Sequence, residues 1–139
     1  MEGTITKAAL SELTHEIIGA AICIHRHVGP GMIESVYEAL LCEELSYRNI
    51  RYSRQQYVPI YYRGKTLDAK LRYDILVDDV ILLELKAVVT MHPIYDAIII
   101  SYMKLLEIPK GLLINFCTPT ISQGVKSFVN NQYRSLPED

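Results

Sequence analysis

Leu10, Leu13, Ile17, Ala21 and Ile24 recur every three or four residues. That spacing puts side chains on one helical face, so Ser11 to His25 is predicted to lie within an amphipathic helix. "HVGPG" (His27 to Gly31) breaks it, because glycine and proline do not continue helices. Val36, Leu40, Leu41 and Leu45 mark a second helix over about Ile33 to Arg48, and "YRNIRYSR" after it reads as a polar connection. "QYVPIYYRGKTLDAKLRYDILV" predicts two strands around a turn at Arg63-Gly64-Lys65, and Pro59 gives the first an edge position or a bulge. "VILLELKAVV" is a third strand with an almost continuous apolar run. Pro93 opens a helix to about Glu107, with Tyr95, Ile98, Ile99, Tyr102, Leu105 and Leu106 on its apolar side. Pro109-Lys110-Gly111 ends it, and "GLLINF" is a short buried strand. From Ile121 to Tyr133 the pattern fits either a strand or one short helix.

Three strands joined by tight turns predict an antiparallel meander. The fourth follows a helical crossover and should lie parallel to the third. The expected architecture is therefore α/β, a mixed central sheet flanked by helices.

Composition bounds the function. The 139 residues are the size of one domain, and half of them are hydrophobic, enough for a core. A net charge of −2 counts against a simple DNA binder, which would be strongly basic. No run reaches the roughly 18 apolar residues of a membrane span, and the first residues lack a signal-peptide pattern. Cys23, Cys42 and Cys117 are scattered without a CxxC pair. They read as reduced thiols of a cytoplasmic protein, mostly filling the core.

The chemistry lies in "RYDILVDDVILLELKAV", which sets Asp74, Glu84 and Lys86 among aliphatic residues although unpartnered buried charge costs several kcal/mol. Glu84 and Lys86, two apart, share a strand face. Asp74 joins them only if the loop has odd length. A two-residue turn at Asp78-Asp79 pairs Val77 with Val80 and puts Asp74 on the other face, whereas a three-residue loop pairs Val77 with Ile81 and sets Asp74 opposite Glu84. Asp-Asp-Val lacks the Asn-Gly or Asp-Gly signal of the two-residue turn, which favours the odd loop. Facing carboxylates repel unless a cation sits between them. Mg²⁺ suits carboxylate oxygens and keeps several waters, and a lysine beside it can orient or deprotonate water or stabilise developing phosphate charge. D-x9-E-x-K thus fits a metal-dependent phosphodiester-cleaving site. Spacing alone fits a structural ion-pair ladder at least as well.

Other residues carry weaker signals. Glu34 and Glu38, one turn apart, read by spacing as solvent-exposed. Cys23, His25 and His27 fall short of the four ligands a structural zinc site needs. His92, before Pro93, fits a turn. Arg48, Arg51 and Arg54 suit either a phosphate-contact patch or a solvated loop. The ten tyrosines are many for this length. Tyr57, Tyr61 and Tyr62 fit strands, nothing in the sequence singles out a base-stacking role, and the abundance also suits the self-association surface of a homodimer.

"GMIESVYEALLCEEL" contains Gly31-x-x-Glu34-x-x-Tyr37. Together with "IHRHVGPG" before it, "YDILVDDVILLELKAV" and "GLLINF", it resembles the GxxExxY protein family of the PD-(D/E)XK nuclease superfamily, from about Ile17 to Pro119. The resemblance implies a restriction-endonuclease-like α-β-β-β-α-β core with an extra N-terminal helix, in a single domain over residues 1–139. It implies an endo- or exonuclease dependent on Mg²⁺ (or Mn²⁺) that hydrolyses phosphodiester bonds, DNA more than RNA. Asp74 matches the metal-binding aspartate, Glu84 the acidic position, Lys86 the lysine, and Glu34 the helical acid that approaches the same metal. His25, Tyr37 and Tyr102 are matched positions offered to substrate, although for His25 a helix-capping role is favoured. One departure stands out. Where the family often reads "EAQLLNYL", this chain has "DAIIISYM", with Ile98 at the glutamine position and Ser101 at the asparagine. A nuclease-fold protein that binds nucleic acid or a partner without cleaving, and a hydrolase of nucleotides or small phosphoesters, are the alternatives.

Overall fold

The computed structural model describes residues 5–139. Helix α1 spans Lys7–Val28. The Thr6 hydroxyl caps its start, accepting from the Ala9 N–H at 3.1 Å. Gly29 closes it at φ 78°, donating its N–H to the His25 carbonyl. Helix α2 (Glu34–Tyr47) carries Glu34 in its first turn, where the helix dipole favours negative charge. The strands are β1 (Tyr52–Arg54), β2 (Ile60–Tyr62), β3 (Lys65–Leu67), β4 (Ile75–Val77) and β5 (Ile81–Lys86). Helix α3 (Ile94–Leu106) leads to β6 (Lys110–Asn115), a 3₁₀ turn at Ile121–Gln123, β7 (Val125–Val129) and the single-turn α4 (Asn131–Arg134).

The main sheet runs β1-β4-β5-β6-β7. Its β5–β6 pair is parallel, as the α3 crossover requires, and the other pairs are antiparallel. Side-chain alternation divides the core in two. Ile75, Val77, Ile81, Leu83, Leu85, Leu112 and Ile114 pack with Ile17, Tyr37, Leu41 and Leu45 of α1 and α2. Leu76, Leu82 and Leu113 face the other way, onto Ile99 and Met103 of α3. Gly111 allows that approach, since a Cβ there would lie 2.8 Å from the Met103 sulfur. The architecture is the expected mixed sheet between helical layers.

Three local expectations change and one open segment resolves. "RYSR" is not a polar connection; Tyr52–Arg54 forms edge strand β1, paired with β4. The turn at Arg63-Gly64 does join two strands, but β2 and β3 form a separate two-stranded arm outside the main sheet, so the meander is β1-β4-β5 with the arm inserted after β1. The ambiguous tail holds a strand, β7, antiparallel to β6. On α3, Ile98 sits at the exposed rim, and Met103 is buried beside Ile99 instead.

Candidate active site

Val77 pairs with Ile81 and Ile75 with Leu83, so the next pair outward sets Asp74 opposite Glu84. This is the register of the odd loop, although its local cause differs from the one expected. Asp78 and Asp79 both adopt positive φ (51° and 57°), which a type I′ turn demands, and the Val80 N–H bonds the Val77 carbonyl. Aspartate tolerates that region better than most residues, and Val80 supplies the extra residue that flips the register. Asp74, Glu84 and Lys86 consequently share the face that α3 covers.

The strands part beyond Ile75 and Leu83, and side chains fill the gap. Asp74 Oδ2 accepts the Leu85 N–H at 2.7 Å. Glu84 is buried, and its Oε1 has no hydrogen-bond partner. Burial, reinforced by the Asp74 charge, pushes Glu84 up to about 9. Burial also raises Asp74, against the Leu85 N–H, which lowers it. Burial and the facing Asp74 charge thus both favour the neutral form of Glu84 while no cation is present. Two carboxyl groups on one sheet face, one with a buried oxygen left unpartnered, are a donor set that suits a cation.

Lys86, half-buried, lays its Nζ over the Tyr95 ring at 4.4 Å from the centroid. Tyr102 lies near both carboxyls: burial, then the Glu84 and Asp74 charges, raise its phenol, which stays a donor. The turn after β5 is pinned by buried Asn115, which accepts the Val88 and Cys117 N–H groups and donates to the Val88 carbonyl.

Other candidates fall elsewhere. Glu34 is exposed, and its Oε2 accepts the Ala87 N–H at 3.4 Å, next to Lys86 at the end of β5. Among the described residues no three His, Cys, Asp or Glu side chains gather to hold a metal, so the acidic centre is the Asp74–Glu84 pair, with Glu34 at its margin. Tyr37 is fully buried, stacked on Phe116 with centroids 4.3 Å apart. Its hydroxyl donates to the Gly29 carbonyl and accepts the Met32 N–H, bracing the turn between α1 and α2 and leaving no face for substrate. His25 is buried and its ring does not cap its own helix; it borders a small cavity with Arg26 and Thr120, away from the acidic pair. Its Nε2–H donates to the Phe116 carbonyl at 3.1 Å, tying α1 to the end of β6.

The arginine patch is neutralised: Arg48 pairs with Glu16 and Glu44, Arg51 with Asp78 and Asp79, and Arg54 with Glu38. His92 stays in its turn, its Nδ1 accepting the Ile94 N–H. Among the cysteines only Cys42 is core, its thiol pushed up to about 11 by burial; Cys23 is exposed and Cys117 half-buried.

Glu38 and Gln55 were missed. Glu38 is buried, against the expectation of solvent exposure. Its Oε2 accepts Arg54 Nε at 2.6 Å and its Oε1 accepts Gln55 Nε2 at 2.8 Å. The same Gln55 nitrogen reaches Asp74 Oδ1 at 3.5 Å, the limit of hydrogen-bond range. Gln55 takes this post at φ 52°, unusual for a residue that is not glycine. No sequence pattern flags these two, because their meeting depends on β1.

A family model described as the PD-(D/E)XK nuclease superfamily matches residues 11–128. No curated protein and no solved structure gave a match. The matched span runs from α1 into β7 and takes in both strands of the acidic hairpin together with α3, so the chain belongs to the PD-(D/E)XK nuclease superfamily.

Proposed function

We propose that the protein is a metal-dependent nuclease of the GxxExxY group that hydrolyses nucleic-acid phosphodiester bonds, DNA in preference to RNA. The observation that carries this reading is the buried Glu84 Oε1, without a hydrogen-bond partner, beside a second carboxylate on the same sheet face. The donor set fits a hard divalent ion, Mg²⁺ or Mn²⁺, which needs only one or two protein carboxylates and completes its shell with water and phosphate. Asp74 and Glu84 would hold it, with Glu34 at the margin. Such an ion supplies water activation near neutral pH and neutralises charge on the phosphate.

The chain's own residues do the rest. Lys86 carries a positive charge on a rotatable stem, two residues from Glu84 on the same face, and can turn from the Tyr95 ring to a phosphate oxygen. Tyr102 offers a phenolic donor toward the same space. Glu38 positions Gln55, whose amide nitrogen lies within reach of Asp74. Tyr37 and His25 support the scaffold. The non-cleaving alternative draws on Ile98, an exposed apolar residue on the helix covering the site.

Thermal melting with and without Mg²⁺ or Mn²⁺ tests the reading. The metal should raise the melting temperature of the wild type and leave Glu84→Gln unchanged. Equal behaviour of the two proteins would assign the pair to structure alone.

A further inference from the structure

The β2–β3 arm is left unused by the proposed site, and its chemistry differs from the rest of the chain. Residues 57–72 hold four of the 14 basic side chains and one of the 16 acidic ones, in a chain whose net charge is −2. Arg63, Lys65, Lys70 and Arg72 have no carboxylate partner among the described residues, whereas Arg48, Arg51 and Arg54 are all paired. The single acid, Asp68, accepts the Lys70 backbone N–H. The arm is therefore a basic projection on an acidic body.

It also exposes aromatic rings. Tyr57, Tyr61 and Tyr62 are 55%, 67% and 64% exposed. Two of them stand opposite cations across the arm. Tyr62 pairs with Lys65 in the β2–β3 ladder, and Tyr57 pairs with Arg72 in an isolated bridge at its base. The Arg72 guanidinium lies over the Tyr57 ring, 4.7 Å from its centroid, and bonds its hydroxyl at 2.8 Å. Exposed rings beside free cations suit a strand whose bases are unpaired: the rings stack bases while the cations meet phosphates. A duplex hides its base faces and would leave the rings unused. Arg72 precedes Asp74 by two residues, so the base of the arm leads directly into the acidic pair.

We propose that the β2–β3 arm grips an unpaired nucleic-acid strand, with Tyr62–Lys65 and Tyr57–Arg72 as base-and-phosphate contacts leading to the Asp74–Glu84 site. This rests on the reading that the chain acts on nucleic acid and adds the form of the substrate and the surface that binds it.

The test is fluorescence anisotropy of a labelled single-stranded oligonucleotide, in EDTA so that nothing is cleaved. Tyr62→Ser should weaken binding roughly tenfold, the scale of losing one stacked base, and Tyr62→Phe should retain it. Lys65→Gln should reduce the slope of log affinity against log salt by about 0.7, one phosphate contact on a single strand. Both sites are exposed, so an unchanged melting temperature certifies the fold. Wild-type affinity in Tyr62→Ser, tighter binding of a duplex of the same sequence, or equal binding of poly-glutamate would each overturn the proposal, the last assigning the arm to acidic proteins. Failure is separable from that of the nuclease reading. A wild type that grips the strand through Tyr62 but never cleaves with metal keeps the arm and loses the nuclease; one that cleaves while Tyr62→Ser binds normally does the reverse.

Discussion

Glu84 is the residue on which stability and chemistry meet. Unfolded, its carboxyl titrates near 4.5; folded, near 9. Below the lower value both states hold the proton and no stability is lost. Between the two, the unfolded chain ionises while the folded one stays neutral, so the metal-free protein should lose stability as pH rises from about 4.5 to about 9. Denaturant unfolding in EDTA across that range checks this, and Glu84→Gln should flatten the dependence. A parallel slope in the variant would place the coupling elsewhere, with Asp74 the next group to examine because burial raises it too. Glu38 makes a second prediction. Glu38→Ala leaves Arg54 and Gln55 without their acceptor and should cost about 1–3 kcal/mol in unfolding free energy. A loss of metal affinity alongside would place Glu38 in the support of Asp74, whereas unchanged affinity would confine it to packing.

At the scale of elements, the site depends on the turn after β5 and its anchor on β6. A Cβ at Gly124 would lie 2.2 Å from the Asn115 backbone oxygen, which cannot yield as a flexible side chain would. Gly124→Ala should therefore displace the residue that pins Val88 and cost at least ~2 kcal/mol; a melting temperature equal to wild type would show that the turn absorbs the shift. The elements were legible where the pattern was strong. The periodicity of α1, α2 and α3, the apolar run of β5 and the crossover to β6 are enough to specify the layers and the parallel pair. The hairpin register was reached through an incomplete premise, since Asp78 and Asp79 do adopt the left-handed turn that their sequence does not advertise. Strand β1 escaped because three residues on a sheet edge, two half-exposed and one exposed, carry no periodic signal. That one omission hid the rest: Arg54 and Gln55 belong to β1 and its end, so the burial of Glu38 and its reach toward Asp74 were invisible from α2 alone. The resemblance led to Tyr37 and His25 being expected at the substrate, but their atoms are occupied by turns and carbonyls that no spacing specifies.

Across the whole molecule the sheet separates two tasks. On one face α1 and α2 bury the larger core; on the other, α3 covers a smaller core and the acidic pair. No helix among the described residues is long and apolar enough to cross a membrane. Binding a metal only to the folded state should add about 2.7 kcal/mol of stability at a hundredfold excess over its dissociation constant. Lys86→Met should keep that gain, because the carboxyls remain. The most direct measurement is cleavage of single- and double-stranded DNA and RNA by the wild type and by Lys86→Met, with Mg²⁺ or Mn²⁺ and with EDTA. The account predicts metal-dependent cleavage by the wild type and a rate roughly 10²–10³-fold lower in Lys86→Met. A wild type that binds metal yet cleaves none of these substrates, or a Lys86→Met protein that cleaves at the wild-type rate, would contradict it.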